Sequence, residues 1–214
     1  MLKVVRVHNS TKVMGKFEES LINRVSNHFR QEGYKVFPHS RFNIAWGSSL
    51  SDIDVLLIKG DTLIVIEVKS KKDRINRAEK QMRTISDYID YGYVATDRLP
   101  ENWYNPAIGL LFVGETIETI YKAKRFTRRP TTESLSALHK KCLLRFLGQE
   151  SNSRFLKYDV AEKIRSMGSE ASIRRCLKRI VTCEENCERD CPTWRFAVRN
   201  GLKPLTNSFS ESYF

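Results

Sequence analysis

Two short apolar runs near the middle of the chain predict a buried β-hairpin. They span 51–58 and 63–69 and are separated by a polar turn. β-branched residues bounded by turn residues are typical of buried strands. Alternation places Asp54 on one face of the first strand, and Glu67 and Lys69 together on one face of the second. Because unpaired buried charges are costly, three charges in such an element indicate a functional site.

The patterns on either side of the hairpin predict an α/β layer. Apolar residues recur at three- and four-residue steps between Gly15 and Gly33, which predicts a helix with Glu18 facing inward and Glu19 offset towards solvent. A strand at 34–37 follows and is ended by Pro38. Beyond the hairpin, the pattern predicts a helix at 75–91 and strands at 93–96 and 108–113. This order of elements predicts a mixed sheet flanked by helices.

The second half of the chain has a different pattern. We predict a first domain at 1–121, a basic linker at 122–130, a second domain at 131–202 and a tail at 203–214. Within the second domain, helical periods at 133–147, 158–167 and 169–181 precede an alternating stretch at 193–198. A Gly-containing turn before a basic helix, followed by a strand, predicts a smaller, mainly helical winged-helix-like domain. The alternative is a small helical domain with a solvated basic face.

The positive charge of the chain is concentrated in its second half. The 214 residues carry a net charge of +12; residues 1–120 contain 17 Lys/Arg and 15 Asp/Glu, whereas residues 121–214 contain 20 and 10. A one-sided basic excess favours a polyanionic partner, although solubility alone is an alternative. The side chains expected to contact nucleic acid are Lys71 and Lys72 after the hairpin, and Arg174, Arg175, Lys178 and Arg179 on the third C-terminal helix.

The charges of the hairpin predict a metal site. Oxygen ligands suit Mg²⁺ or Mn²⁺, and the carboxylates of Asp54 and Glu67 could share one ion. The carbonyl of Val68 could be a further ligand, and Glu18 could bind a second ion or a metal-bound water. A metal that acidifies a water and neutralises a phosphate, with Lys69 beside it, can hydrolyse a phosphodiester. The alternative is that these are edge-strand charges that discourage aggregation.

These residues also resemble a known family. Asp54 followed by Glu67-Val68-Lys69 on consecutive strands, after a helix bearing Glu18, resembles the PD-(D/E)xK nuclease superfamily. That superfamily includes restriction endonucleases, archaeal Holliday-junction resolvases and NERD-type nuclease-related domains, and the resemblance covers about residues 15–113. It implies Mg²⁺-dependent phosphodiester cleavage on a restriction-endonuclease-like fold, with Asp54 and Glu67 as metal ligands and Lys69 as the catalytic lysine. Glu18 matches the helical glutamate of the resolvase-like members.

Two features depart from the family pattern or leave it open. Ile53 stands where the family has a proline, and Asp52, on the same face as Asp54, is a competing candidate. We prefer Asp54 because it lies inside the apolar run. Gln81 and Tyr88 fall on one flank of the second helix and could contact substrate or order a water, although such residues are more often surface polar groups.

The cysteines cluster near the C-terminus. Four of the five are Cys176, Cys183, Cys187 and Cys191. They could hold Zn²⁺ or an iron–sulfur cluster, although the two-residue spacing of zinc knuckles is missing; buried thiols or a disulfide are the alternatives. An odd cysteine number, no transmembrane-length apolar stretch and no visible secretory signal together predict an intracellular, cytoplasmic protein without membrane contact.

The sequence therefore predicts a metal-dependent nuclease that acts on nucleic acid, and on DNA in preference to RNA. One alternative is a non-catalytic DNA-binding or regulatory protein that keeps a nuclease fold, and another is an RNA-processing nuclease. A homodimer is compatible with this prediction, since many nucleases that cut two strands work as dimers.

Overall fold

The computed structural model describes residues 16–42, 52–70, 75–138, 140, 143–144 and 156–167. The chain divides into two compact units. We call residues 14–42 with 47–130 the sheet unit, and residues 1–13, 43–46 and 131–214 the C-terminal unit. No helix in the described ranges is both long enough and apolar enough to cross a membrane.

A six-stranded mixed sheet forms the body of the sheet unit, with its strands side by side in chain order. β1 to β3 pair antiparallel, β3 to β5 pair parallel, and β6 returns antiparallel to β5. The strands are β1 (Lys35–Arg41), β2 (Asp52–Lys59), β3 (Thr62–Lys69), β4 (Tyr91–Thr96), β5 (Gly109–Val113) and β6 (Ile117–Tyr121). The predicted α/β fold, a mixed sheet flanked by helices, is thereby confirmed.

Helix α1 (Lys16–Gln31) covers one face of the sheet. Its buried residues Leu21, Ile22 and Val25 pack in one cluster with inward residues of four strands. The strand residues of that cluster are Val55, Leu57, Ile64, Ile66, Val68, Ala95, Leu111 and Val113. Gly33 follows the helix at a φ of +80°, a conformation that glycine adopts without steric cost, so the predicted stop is in place.

Helix α2 (Ile75–Ile85) lies on the opposite face, the one that carries Glu67. This follows from Gly92, which pairs with Val65 two residues before Glu67 and lies against the buried side chain of Met82. A Cβ on Gly92 would come within 2.9 Å of the Met82 sulfur, so a larger residue there would require the Met82 side chain to shift. Alternation along β3 thus leaves Glu67 and Lys69 on the α2 face.

The clearest differences from the predictions are two boundaries and one additional strand. β1 continues through Pro38 to Arg41, because it is an edge strand and an edge proline leaves no internal ladder bond unmade. α2 ends at Ile85, six residues earlier than predicted. β6 was not predicted, since its five residues are intermediate or exposed and show little of the apolar alternation that marks a buried strand.

Two buried carboxylates bind the basic segment 122–130 to the rest of the sheet unit. Asp90 and Asp87 are each 2% exposed. Arg125 donates to Asp90 Oδ1 at 3.0 and 3.2 Å, and Arg128 donates to Asp87 Oδ1 at 3.0 Å. The other Asp90 oxygen accepts the Leu63 N–H at 2.9 Å, so Asp90, which directly precedes β4, also holds the start of β3.

Two helices of the C-terminal unit have bounds within the described residues, α3 (Thr132–Ser136) and α4 (Lys157–Met167), and they contact each other. Thr131 caps α3, because its side-chain oxygen accepts the Ser134 N–H at 3.1 Å. Among the described residues of this unit, the buried apolar ones are Leu135, Leu138, Leu143, Leu144, Val160, Ala161 and Ile164. The predicted basic helix at 169–181 and strand at 193–198 lie outside the described residues.

Candidate active site

The sheet opens between β2 and β3 at the position of Asp54. β2 pairs with β3 as far as Val55 opposite Ile66. On its other side, β2 remains paired with β1 as far as Asp52. At this end of the sheet, β3 therefore separates from β2 while β1 stays paired with it. An opening forms between β2 and β3.

Asp54 and Glu67 lie at the mouth of this opening and on the same face. Val55 and Ile66 are the last pair between β2 and β3, and Asp54 and Glu67 are the next two residues that would face each other. Asp54 Oδ2 accepts the N–H of Val68 at 2.8 Å, where a β2 carbonyl would otherwise bind. N–H and C=O of one strand residue point to the same edge, so the Val68 carbonyl also faces the Asp54 side.

Glu67 and Lys69 form a buried ion pair at the end of β3. Lys69 Nζ donates to Glu67 Oε1 at 2.6 Å, and the two residues Lys69 and Glu67 are 8% and 4% exposed. Pairing of Lys69 with Thr96 on β4 fixes the strand end that carries them. A buried pair gains little net stability, because each ion loses its hydration. A functional role therefore explains this pair better than a contribution to the stability of the fold.

The electrostatics of Glu67 reflect a concentration of negative charge. Burial is the main cause that raises the pKa of Glu67, and the charge of Asp54 raises it further; Glu18 adds to the rise, while Lys69 opposes it. The resulting pKa is about 7, compared with 4.5 for an ordinary glutamate. A divalent cation would relieve this repulsion, so the environment of Glu67 suits one.

The ligand set available at the opening fits a hard cation. Within the described ranges, no three His, Cys, Asp or Glu side chains are arranged to hold a metal ion by themselves. Mg²⁺, however, is commonly bound through one or two carboxylates and keeps several waters. Asp54 and Glu67 with the Val68 carbonyl match that mode. Glu18 lies in the first turn of α1, half-buried, at a range where its charge acts on Glu67.

His39 on β1 was not among the predicted site residues. Its φ is 51°, the one positive φ of a described residue other than glycine. Its Nε2 donates to the Glu19 carboxylate, 3.3 Å from Oε1 and 3.2 Å from Oε2, with about 43% of each side chain exposed. A backbone of this kind costs about 1–3 kcal/mol, whereas a half-exposed pair contributes about 0–1 kcal/mol. The contact thus does not offset the strain.

The two predicted residues on the flank of α2 have different surroundings. The Gln81 amide oxygen is buried and has no hydrogen-bond partner in the described part of the chain. Tyr88 lies beyond the end of α2, is 5% exposed, and packs edge-on against Phe42 at 6.3 Å between ring centroids. Gln81 remains a candidate for contact with substrate or water, whereas Tyr88 is part of the core and not a surface polar group.

Several predicted site residues cannot be placed in this geometry. Lys71, Lys72, the basic side chains of 174–179 and the four clustered cysteines lie outside the described residues, as does the side chain of the competing Asp52. The structure therefore brings together Asp54, Glu67 and Lys69, with Glu18 nearby. Their roles in binding and catalysis stay predictions.

Comparison with known proteins gives one family match. Residues 14–107 match the model of the nuclease-related domain, NERD. No curated protein matches the chain. A solved structure, a protein of unknown function from Silicibacter pomeroyi, is similar at 22% identity with a TM-score of 0.42, covering 54% of this chain and 75% of that one. Because the matched segment contains α1, the hairpin and α2, residues 14–107 of this chain form a NERD nuclease-related domain, of a PD-(D/E)xK-like nuclease family.

Proposed function

We propose that this protein is a divalent-metal-dependent nuclease that hydrolyses phosphodiester bonds in DNA. The observation that carries the proposal is the buried Lys69–Glu67 pair beside Asp54, at an opening of the sheet. A fold has no structural reason to bury an ammonium next to two carboxylates, since a hydrophobic replacement is often neutral or stabilising. The NERD match over residues 14–107 supports a nuclease-related function independently.

Asp54, Glu67 and the Val68 carbonyl are the groups that would hold Mg²⁺ or Mn²⁺. A bound cation of this kind would neutralise charge on the scissile phosphate and acidify a water. The Val68 N–H holds the Asp54 carboxylate at 2.8 Å, so this ligand is oriented before any ion arrives. The raised pKa of Glu67, about 7, makes this carboxylate ready to exchange a proton for a cation near neutral pH.

Lys69 would stabilise the developing negative charge on the phosphate. Its ammonium carries three donors, and one is used by Glu67 Oε1 at 2.6 Å. The remaining donors can reach a phosphate oxygen at the opening, where exclusion of water strengthens the interaction. The Gln81 amide oxygen, which has no hydrogen-bond partner among the described residues, is an acceptor that could orient the attacking water.

The basic excess of the chain supports a polyanionic substrate. Of the net charge of +12, most belongs to residues 121–214, where we propose that Arg174, Arg175, Lys178 and Arg179 contact DNA phosphates. Lys71 and Lys72 follow the end of β3 after Ser70, so they would extend the positive charge from the Lys69 end of the hairpin. Zinc or an iron–sulfur cluster at the four clustered cysteines would serve structure and not hydrolysis.

The deciding experiment is a cleavage assay across single-stranded, duplex and branched DNA and RNA, with Mg²⁺ or Mn²⁺ and with EDTA. We expect cleavage of DNA that requires the metal and that Lys69→Ala lowers by at least about 10²-fold, as removal of an electrostatic catalytic group does. DNA binding by Lys69→Ala should remain near that of the wild type.

Lys59→Ala is the matched control. It removes the same charge from the same hairpin, but Lys59 is exposed and bonds the Glu32 carbonyl at 3.0 Å at the far end of β2. Cleavage that Lys69→Ala retains would disprove the site. DNA binding without cleavage of any substrate would favour the non-catalytic binding protein, and cleavage of RNA alone would favour the RNA-processing nuclease.

A further inference from the structure

The strained residue His39 lies beside the candidate site and has no part in the chemistry proposed above. The β1–β2 register passes through its position opposite Asp54, between pairs that are formed on either side. A regular strand would turn its side chain to the face of Asp54. The left-handed backbone turns the imidazole to α1 instead, where it meets Glu19.

The first turn of α1 carries Glu18 and Glu19 but lies outside the part of the helix that the core anchors. The buried residues Leu21, Ile22 and Val25 begin after this turn. First-turn N–H groups have no intrahelical acceptors, so helix ends fray. The bond from His39 to both Glu19 oxygens ties this turn to β1.

Fixing Glu19 also fixes the direction of Glu18. Neighbouring residues on an α-helix lie about 100° apart around the axis. When Glu19 is held against β1, Glu18 is held at a set angle from it. Glu18 is half-buried in this turn, and its charge is the smallest of the causes that raise the pKa of Glu67.

We propose that His39 is a positioning residue, which acts through Glu19 to hold the first turn of α1 so that the Glu18 carboxylate faces the opening between β2 and β3. The importance of that position for the enzyme rests on the proposed function. The position itself does not, because it can be measured in the metal-free protein. The strain at residue 39 is then explained, since a residue with ordinary φ would direct its side chain away from Glu19.

The test compares wild type with His39→Gly and His39→Gln. Glycine accepts the positive φ but has no imidazole, whereas glutamine can place its amide nitrogen close to the position of Nε2 and still donate to Glu19. In metal-free crystal structures, we expect the Glu18 carboxylate to leave its wild-type position in His39→Gly and to recover it in His39→Gln. Mn²⁺ affinity by calorimetry should fall about tenfold in His39→Gly, as for a group that orients a ligand. His28→Gln, at the other end of α1, is the matched control.

A double-mutant cycle separates positioning from a general structural effect. If His39 acts through Glu18, the decrease of Mn²⁺ affinity in His39→Gly with Glu18→Gln should not exceed that of Glu18→Gln alone. Decreases that multiply would overturn the proposal, and so would an unmoved Glu18 in His39→Gly. If His39→Gly does not fold, Glu19→Ala, which removes the acceptor, is expected to show the same displacement. Wild type that binds no Mn²⁺ would refute the metal-dependent function, while the crystallographic comparison would still decide the role of His39.

Discussion

The Glu67 carboxyl group is buried, lies near the carboxylate of Asp54 and accepts a hydrogen bond from the Lys69 ammonium. In the folded, metal-free protein its pKa is about 7, compared with 4.5 in the unfolded chain. Between these pH values, the folded state keeps the proton that the unfolded state releases. The contribution of Glu67 to stability is therefore fully present below pH 4.5 and is lost as the pH rises through 7.

We predict that Glu67→Gln removes this pH dependence. With EDTA present, the melting temperature of wild type should fall relative to that of Glu67→Gln as the pH increases from about 4.5 to 7.5, because only wild type must ionise a buried acid. Thermal unfolding over that pH range measures this difference in melting temperature. Glu101→Gln, which replaces an exposed glutamate, is the control. Parallel curves for the two proteins would contradict the raised pKa.

Strict alternation made part of the site predictable residue by residue. Asp54, Glu67 and Lys69 could be placed on common faces because two apolar strands joined by a short turn leave little freedom in register. Helical periodicity placed Glu18 on the inward face of the first helix. His39 could not be found in this way, since a left-handed residue leaves no periodic pattern and Pro38 beside it predicts a strand end. The one available signal was a histidine directly after a proline, which is weak.

Among the elements, the predictions were most accurate where residues are buried. β2 and β3 lie within one residue of their predicted bounds, since both are apolar on both faces. α2 was predicted too long because the buried residues Tyr88 and Ile89 continue the apolar pattern after the helix has ended. The chain there is held by Asp87 and Asp90, whose arginine partners are 41 and 35 residues away and leave no trace in the local periodicity.

We predict that Asp90→Ala destabilises the sheet unit by about 2–3 kcal/mol, because it leaves the buried Leu63 N–H without an acceptor and releases Arg125. Asp90→Asn should cost less, since its amide oxygen can still accept from Leu63. Chemical denaturation of the full chain measures both. Replacing the exposed Glu101 with Ala should change the free energy of unfolding by less than about 0.5 kcal/mol. Equal stability of Asp90→Ala and wild type would show that the contact contributes nothing.

For the molecule as a whole, the basic excess has two sources. Residues 122–130 contain five Lys/Arg and no Asp/Glu. Arg125 and Arg128 of this segment pair with buried aspartates and hold it to the sheet unit, with both guanidiniums more than half exposed. The remaining excess belongs largely to the C-terminal unit. The boundary between the two units after Pro130 therefore does not separate the nearly neutral part of the chain from the basic part.

We predict that the fragment 1–130 binds DNA more weakly than the full chain and with a flatter dependence on salt. Each phosphate that the fragment no longer neutralises should reduce the slope of log K against log salt by about 0.9. Fluorescence anisotropy over a salt series measures it, with circular dichroism to verify folding. A full chain with Lys122→Ala and Lys124→Ala tests the basic segment by itself. Equal slopes for the fragment and the full chain would remove the C-terminal unit from DNA binding.

The fold class of the sheet unit was predictable because the order of its helices and strands admits few layer arrangements. The winged-helix-like domain stays a prediction, since its basic helix and strand lie outside the described residues. Its evidence is a turn and a charge pattern, and neither constrains packing as a buried strand does.

The tight turn at Gly60 between β2 and β3 has a consequence for how the protein folds. Hairpins form within microseconds, well before distant parts of a chain meet. Asp54 and Glu67 are therefore brought together early, while water still screens their repulsion. The electrostatic cost arises only when α1 and α2 close over the sheet, so this site opposes the last steps of folding and not the first. A divalent ion bound at the proposed site would therefore also assist the completion of the fold.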